Sequence, residues 1–286
     1  MSEIMKIMVT GCNGQLGRAI AKVYENDPGV CILGTDVPDL DITDLKAVQS
    51  YVSEEYPYAI VNCAAATNVD GCEKDTDLAY RINAIGPRNL AIAAADCDIP
   101  LVHISTDYVF PGNGTRPYTE FDEVAPKSAY GRTKLAGERF VQQFAKKWYI
   151  IRTAWLYGEG KNFVRTMLGI AENHDTVSVV DDQLGNPTSA MELARAIRAL
   201  LPTDCYGIYH GTCEGICSWA DFTEEIFRLK GLSTKVEHIS SEEYKRRFPA
   251  SADRPAYSAL DNYMFRLNTD IRFADWKDAL KEYLEV

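Results

Sequence analysis

Residues 6–24 read KIMVTGCNGQLGRAIAKVY, and a change of period inside that stretch decides the fold. Lys6–Thr10 is short, apolar and partly β-branched, the pattern of a buried strand. Gln15–Tyr24 then places apolar residues at helical spacing. Between them stand Gly11, Gly14 and Gly17. Glycines at a strand-to-helix turn let backbone approach a pyrophosphate, and the helix N-terminus favours its charge. The spacing is G-x-x-G-x-x-G rather than G-x-G-x-x-G. The turn's position, after the first strand and before the first helix, therefore carries as much weight as its glycines.

The alternation continues outward. Strands are expected at Val30–Thr35, Ala59–Cys63, Leu101–Ser105 and Tyr149–Thr153, with helices at Leu45–Glu55, Asp77–Asp96 and Ser128–Phe144. Such βαβ repetition predicts an α/β fold, a Rossmann-type doubly wound parallel sheet covered by helices on both faces. Runs such as AIVNCAAA fit strands buried on both sides. After Trp155 the rhythm loosens into helices at Asn162–Glu172, Met191–Leu200, Trp219–Lys230 and Trp276–Leu284, with strands at Val177–Val180, GIYHGT and VEHI. Ser218 is placed to cap the third of these helices. This predicts a Rossmann domain over 1–156 and a smaller mixed α/β substrate-binding lobe over 157–286, partly interleaved with it.

The chain has 286 residues, 46% hydrophobic and 25% charged, enough for a substantial core. A net charge of −11 argues against nucleic-acid binding, which needs a basic surface. No apolar run approaches the ~20 residues of a membrane span, and MSEIMKIMVTG lacks a signal-peptide plan, so a cytoplasmic location without membrane attachment is expected. Eight cysteines are too dilute for a disulfide scaffold. His210, Cys213, Cys217 and His238 lack paired Cys-x-x-Cys spacing, and reduced core thiols are the simpler reading, with no metal site assigned.

Three further features carry chemistry. Asp36 ends the second strand, nineteen residues beyond Gly17. A carboxylate there accepts hydrogen bonds from a ribose 2′-hydroxyl and repels a 2′-phosphate, favouring NAD(H) over NADP(H), unless Asp36 merely opens a turn. Asp41 and Ile42 follow, flanking the adenine. Ser105-Thr106-Asp107 lies where the fourth strand ends, the edge at which open parallel sheets bind ligands. Finally, SAYGRTKLAGE at 128–138 puts Tyr130 and Lys134 on one helix face. A phenol of ordinary pKa ~10 is a poor proton donor near neutrality. A nearby ammonium stabilises the phenolate and lowers that value, while Thr106 is placed to bond the oxygen being protonated.

With these motifs in place, the chain resembles the extended short-chain dehydrogenases/reductases, and within them the reductases of dTDP-4-keto sugars, along nearly its whole length. TGCNGQLG resembles their cofactor turn and VNCAAATNVDGCE the segment after the strand beneath the nicotinamide. STDYVFPG and YTEFDEVAPKSAYGRTKLAGE resemble their catalytic strand and helix. RTAWLYG, NFVRTML, DDQLGNPT and RPAYSALDN resemble their substrate-lobe segments.

The resemblance implies Thr106, Tyr130 and Lys134 as the catalytic set. Hydride would pass from NAD(H) or NADP(H) to C4 of the keto sugar. Tyr130 would protonate the alkoxide, Thr106 polarise the carbonyl, and Lys134 hold the nicotinamide ribose. Gly11, Asn13, Gly14, Gln15, Leu16 and Gly17 would form the cofactor turn, with Ala64, Ala65 and Asn83 approaching the cofactor through small size and backbone order. Asp107, Tyr108 and Trp155 would line the hexose pocket, although a plain core role also fits Trp155. Asn162, Gln183, Arg254 and Tyr257 would meet the nucleotide-diphosphate end of a dTDP-sugar; an Arg fork suits phosphate, and Gln183 has a loop-ordering reading as well. Relatives are commonly homodimers, some with Mg²⁺ at the dimer contact, but no ligand cluster stands out here.

Two rivals remain. One is a dehydratase or epimerase of the same group; the dehydratases carry a second carboxylate after Thr-Asp, where this chain has Tyr108. A non-catalytic regulatory subunit could keep the cofactor turn yet dispense with Tyr130 and Lys134, which are both present.

Overall fold

The computed structural model describes residues 4–285. The first half of the chain runs β1 (Met5–Thr10), α1 (Gln15–Tyr24), β2 (Val30–Thr35), α2 (Leu45–Glu55), β3 (Ala59–Asn62), α3 (Val69–Lys74), α4 (Thr76–Tyr80), a π-helical turn at Arg81–Ile85, α5 (Gly86–Asp96), β4 (Leu101–Thr106), α6 (Ala129–Phe144) and β5 (Trp148–Thr153). The second half adds β6 (Leu156–Tyr157), α7 (Phe163–Ala171), β7 (Thr176–Val180), β8 (Leu184–Gly185), β9 (Thr188–Ser189), α8 (Ala190–Leu200), β10 (Gly207–His210), β11 (Cys217–Ser218), α9 (Trp219–Lys230), β12 (Lys235–Ile239), α10 (Ser241–Arg247), α11 (Tyr263–Asn268) and α12 (Trp276–Glu285).

Six strands form one parallel sheet in the order β10-β5-β4-β3-β1-β2. Successive side chains of each strand point to opposite faces, so two cores form. Ile7, Val9, Val102, Tyr149 and Ile151 pack under Ile20 of α1 and Leu193 and Ile197 of α8. Met8, Ile60, Leu101 and Ile150 pack under Val48 and Val52 of α2, Leu90 of α5 and Val141 of α6. The sheet is doubly wound. Between β1 and β3 the strand order reverses, and at such a switch point the strand ends leave a crevice for a ligand.

The chain beyond Tyr157 contributes to this sheet as well as to a third core. β10 pairs with β5 through Gly207 to His210, and α8 lies against α1. The third core gathers Tyr157, Val164, Phe222, Ile226, Trp276 and Leu280. It is flanked by the parallel pair β7–β12 and the antiparallel pair β8–β11. The α9 helix begins with the expected Ser218 cap, reinforced into a reciprocal capping box by Asp221.

One expected element differs. The continuous helix over 77–96 is broken into α4, the π-helical turn and α5, with Pro87 in the first turn of α5. Proline lacks an N–H and suits the opening of a new helix. The π turn has a local consequence: Asn83 accepts a hydrogen bond from Ala66 N and donates to Ala66 O and Thr133 Oγ1, pinning the segment after β3.

Candidate active site

Gly11 leaves β1 at φ +63°, a left-handed conformation that favours glycine, and a Cβ there would lie 2.8 Å from Ala64 backbone. At Gly17 a Cβ would come within 2.5 Å of the Gly11 carbonyl. The turn is therefore packed so tightly that only hydrogen fits at either position. Gly14 stands at the head of α1, and no side chain caps that helix. Its first N–H groups have no side-chain acceptor, which is the arrangement that receives a phosphate. Leu16 is buried in the sheet core, so its contribution to such a site is backbone alone. The Gln15 side chain enters a separate cavity with Arg18 and Gly158.

At the tip of β2 the Asp36 carboxylate accepts hydrogen bonds from the backbone N–H groups of Asn13, at 3.2 Å, and Val37, at 3.0 Å. It lines a cavity of about 340 Å³ together with Gly11, Asp41, Ile42, Ala64 and Ala65. Arg81, from the π-helical turn, enters the same cavity. Nothing in its sequence spacing marked Arg81, because its position depends on the helix irregularity. The Asn83 side chain stands behind this cavity as the brace of Ala66.

Ser128 caps α6 by accepting from Gly131 N at 3.1 Å, and Glu73 of α3 accepts from Ala129 N at 2.6 Å. Tyr130 and Lys134 thus leave a firmly seated first turn. The Lys134 ammonium is buried and donates to the Ile104 carbonyl at 2.6 Å. Burial lowers its pKa to about 8, with the Glu138 carboxylate pulling the other way. Thr106 at the end of β4 donates to Asp107 Oδ1 at 2.8 Å and accepts from Tyr108 N at 3.2 Å. Burial pushes the Asp107 carboxyl up to about 6, against the pull of the neighbouring Ser258 and Thr106 hydroxyls. Tyr108 meets Tyr130 edge to face, ring centroids 5.4 Å apart.

The Tyr130 phenol departs from the expectation that Lys134 lowers its pKa. Burial holds it well above the ordinary value; the neighbouring Thr106 hydroxyl opposes that rise, and Asp107 and Tyr108 add to it. In this site Tyr130 is a firmly protonated acid. Sequence reasoning weighed the ammonium and not the loss of water around the ring.

Tyr108 leads from this pair into a cavity of about 900 Å³ that Gln183 and Arg254 also line. Arg254 stands near the Tyr108 hydroxyl, opposing the rise of its pKa, and lies 3.6 Å from Asp70. Gln183 donates to Ser241 Oγ at 2.9 Å. Trp155, at φ +47°, is stacked 3.6 Å from Trp219, and it is Trp219, with Phe163, that faces the cavity. The sequence offered no pairing signal between two tryptophans so far apart in the chain.

Two expected ligand residues do not line that cavity. Asn162 caps α7 by accepting from Arg165 N, and its amide donates to Gly158 O, Gly160 O and Tyr283 Oη. Its polar atoms are committed to anchoring a loop. Tyr257 packs against Tyr118 in a satellite apolar cluster, outside the large cavity. Among the described residues, no three His, Cys, Asp or Glu side chains are grouped to hold a metal ion, and no helix is long and apolar enough to cross a membrane.

Set against known proteins, residues 5–286 match the family described as the RmlD substrate binding domain. The chain is 53% identical to a solved dTDP-4-dehydrorhamnose reductase from Clostridium acetobutylicum, with TM-score 0.94 over 98% of this chain and 99% of that one. It is 41% identical to the dTDP-4-dehydrorhamnose reductase of Bacillus anthracis solved with NADP, with TM-score 0.94 and 99% of both chains covered. It is also 41% identical to the spore coat polysaccharide biosynthesis protein SpsK of Bacillus subtilis, over 98% of this chain and 97% of that protein.

Proposed function

The chain belongs to the RmlD substrate-binding family, and from that premise we propose that it reduces the C4 keto group of dTDP-4-dehydro-L-rhamnose to dTDP-L-rhamnose. The reaction belongs to nucleotide-sugar biosynthesis that feeds cell-surface polysaccharide. One observation supports this reading above the others: Thr106, Tyr130 and Lys134 are all present and stand together on β4 and α6, with Tyr108 linking them to the large cavity.

The residues fit a nicotinamide dinucleotide. The uncapped head of α1 and the cradle at Gly11 and Gly17 suit its pyrophosphate, and the cavity beside Asp36 suits its adenosine end. When bound, that cofactor supplies hydride to the ketone carbon. Lys134 holds the nicotinamide ribose, and its fixed bond to Ile104 O limits where its remaining protons point. Tyr130, kept protonated by burial, delivers its proton to the developing alkoxide at C4. Thr106, whose single hydroxyl proton goes to Asp107 in the free site, turns that proton to the same oxygen when the ketone is bound. Arg254 and Gln183 meet the diphosphate end in the large cavity.

The test is to mix purified protein with NADH or NADPH and the dTDP-4-keto sugar and follow the nicotinamide absorbance. Sugar-dependent oxidation of the cofactor is expected. No turnover, with cofactor bound normally, would overturn the reductase reading and assign the chain to the non-catalytic regulatory proteins of this fold.

A further inference from the structure

Glu138 lies one helical turn beyond Lys134 and two beyond Tyr130, on the same side of α6, and is 1% exposed. Its carboxylate forms a fork with Arg152 of β5, Oε1 to Nε at 2.9 Å and Oε2 to Nη2 at 2.7 Å. Oε1 also accepts from Ser105 Oγ at 2.5 Å, on β4 directly before Thr106. One carboxylate therefore joins the helix that carries Tyr130 and Lys134 to the two strands beneath it. Both members of the ion pair are out of water. A buried pair of this kind is weak evidence for stability, since apolar residues of the same volume often serve as well. Its placement is the informative fact.

We propose that Glu138 is a positioning residue for the Tyr130–Lys134 pair: it fastens α6 to the ends of β4 and β5 and supplies the negative charge that keeps Lys134 an ammonium inside the site. The proposal rests on the reading of that pair as the proton-transfer machinery. The groups facing Lys134 leave Glu138 as its main support. From the end of β3 comes the Cys63 thiol, pushed up to about 12 by burial and so neutral. From β4 comes His103, buried and held well below its usual value, also neutral. Tyr130, on the same helix, is a neutral phenol. Arg152 on β5 is the carboxylate's own partner, and beyond it His210 of β10 is held down to about 3 by burial, then by Arg152.

The experiment compares the pH dependence of kcat/KM for keto-sugar reduction in the wild type, Glu138→Gln, Arg152→Gln and the double variant, with folding checked by thermal melts. Both single variants break the same fork, but only the first removes the negative charge. The fall of activity at high pH should move about one unit toward acid in Glu138→Gln. It should move the same way in the double variant, where no cation is stranded, and not in Arg152→Gln. Equal profiles in all three variants, or failure of every variant lacking the carboxylate to fold, would assign the pair a structural role and overturn the proposal. A wild type without turnover would overturn the reductase reading along with it, whereas an active wild type with an unmoved limb in the charge-deleted variants overturns this proposal alone.

Discussion

The Lys134 ammonium is bonded to the Ile104 carbonyl, at 2.6 Å, on the strand that carries Thr106 two residues later. That bond ties the helical and strand halves of the site together and leaves the lysine buried, with its pKa lowered to about 8. The working form is the cation. Below about pH 8 Lys134 is charged and can hold a ribose hydroxyl; above it the charge is lost. The kcat/KM for ketone reduction should therefore be flat near neutrality and fall tenfold per unit once pH passes about 8. Lys134→Met should remove most activity and, with it, that limb. An unchanged limb in residual Lys134→Met activity would separate the pH dependence from Lys134.

Tyr130 tests the proton-transfer step by itself. Its phenol is protonated at every working pH, since burial holds it far above neutrality. Tyr130→Phe deletes the proton and keeps the ring that packs edge to face on Tyr108. Turnover should fall by about 10²–10⁴-fold, the usual worth of a positioned general acid. Cofactor affinity, measured by quenching of protein fluorescence, should change by less than about threefold. Substantial residual turnover would point to another proton donor.

The parts of this protein legible in its sequence are those fixed by local periodicity. β1, the glycine turn and α1 stand where the change from strand to helix spacing put them. The same holds for the Ser218 cap and the shared helix face of Tyr130 and Lys134. What stayed hidden depends on partners distant along the chain or on burial. Asn162 has the look of a free polar side chain in the sequence, and only the fold reveals the two carbonyls and Tyr283 hydroxyl that take up its amide. Trp155 is a lone tryptophan in a motif until Trp219 closes on it. The rise of the Tyr130 pKa reflects desolvation, which no spacing between Tyr130 and Lys134 encodes. The break in the helix over 77–96 was marked by Pro87, yet local spacing encodes neither its π-helical form nor the hold of Ala66 and Thr133 on Asn83.

Two opposite charges share one cavity, and the proposed cofactor site makes the choice of nucleotide depend on them. Asp36 is held at the tip of β2 by the Asn13 and Val37 N–H groups, and Arg81 reaches in from the π-helical turn. A ribose 2′-hydroxyl can donate to the carboxylate, whereas a 2′-phosphate meets its repulsion and needs the guanidinium. The two substitutions should therefore act with opposite sign on the preference. Asp36→Ala should weaken NADH by about tenfold, the worth of a hydrogen bond to a charged group, while weakening NADPH less or improving it. Arg81→Ala should weaken NADPH more than NADH. Dissociation constants for both nucleotides, measured at one ionic strength because exposed charges are screened by salt, give the answer. Equal losses of the two nucleotides in Asp36→Ala would remove that carboxylate from the ribose site, and its bonds to Asn13 and Val37 would then be its whole role.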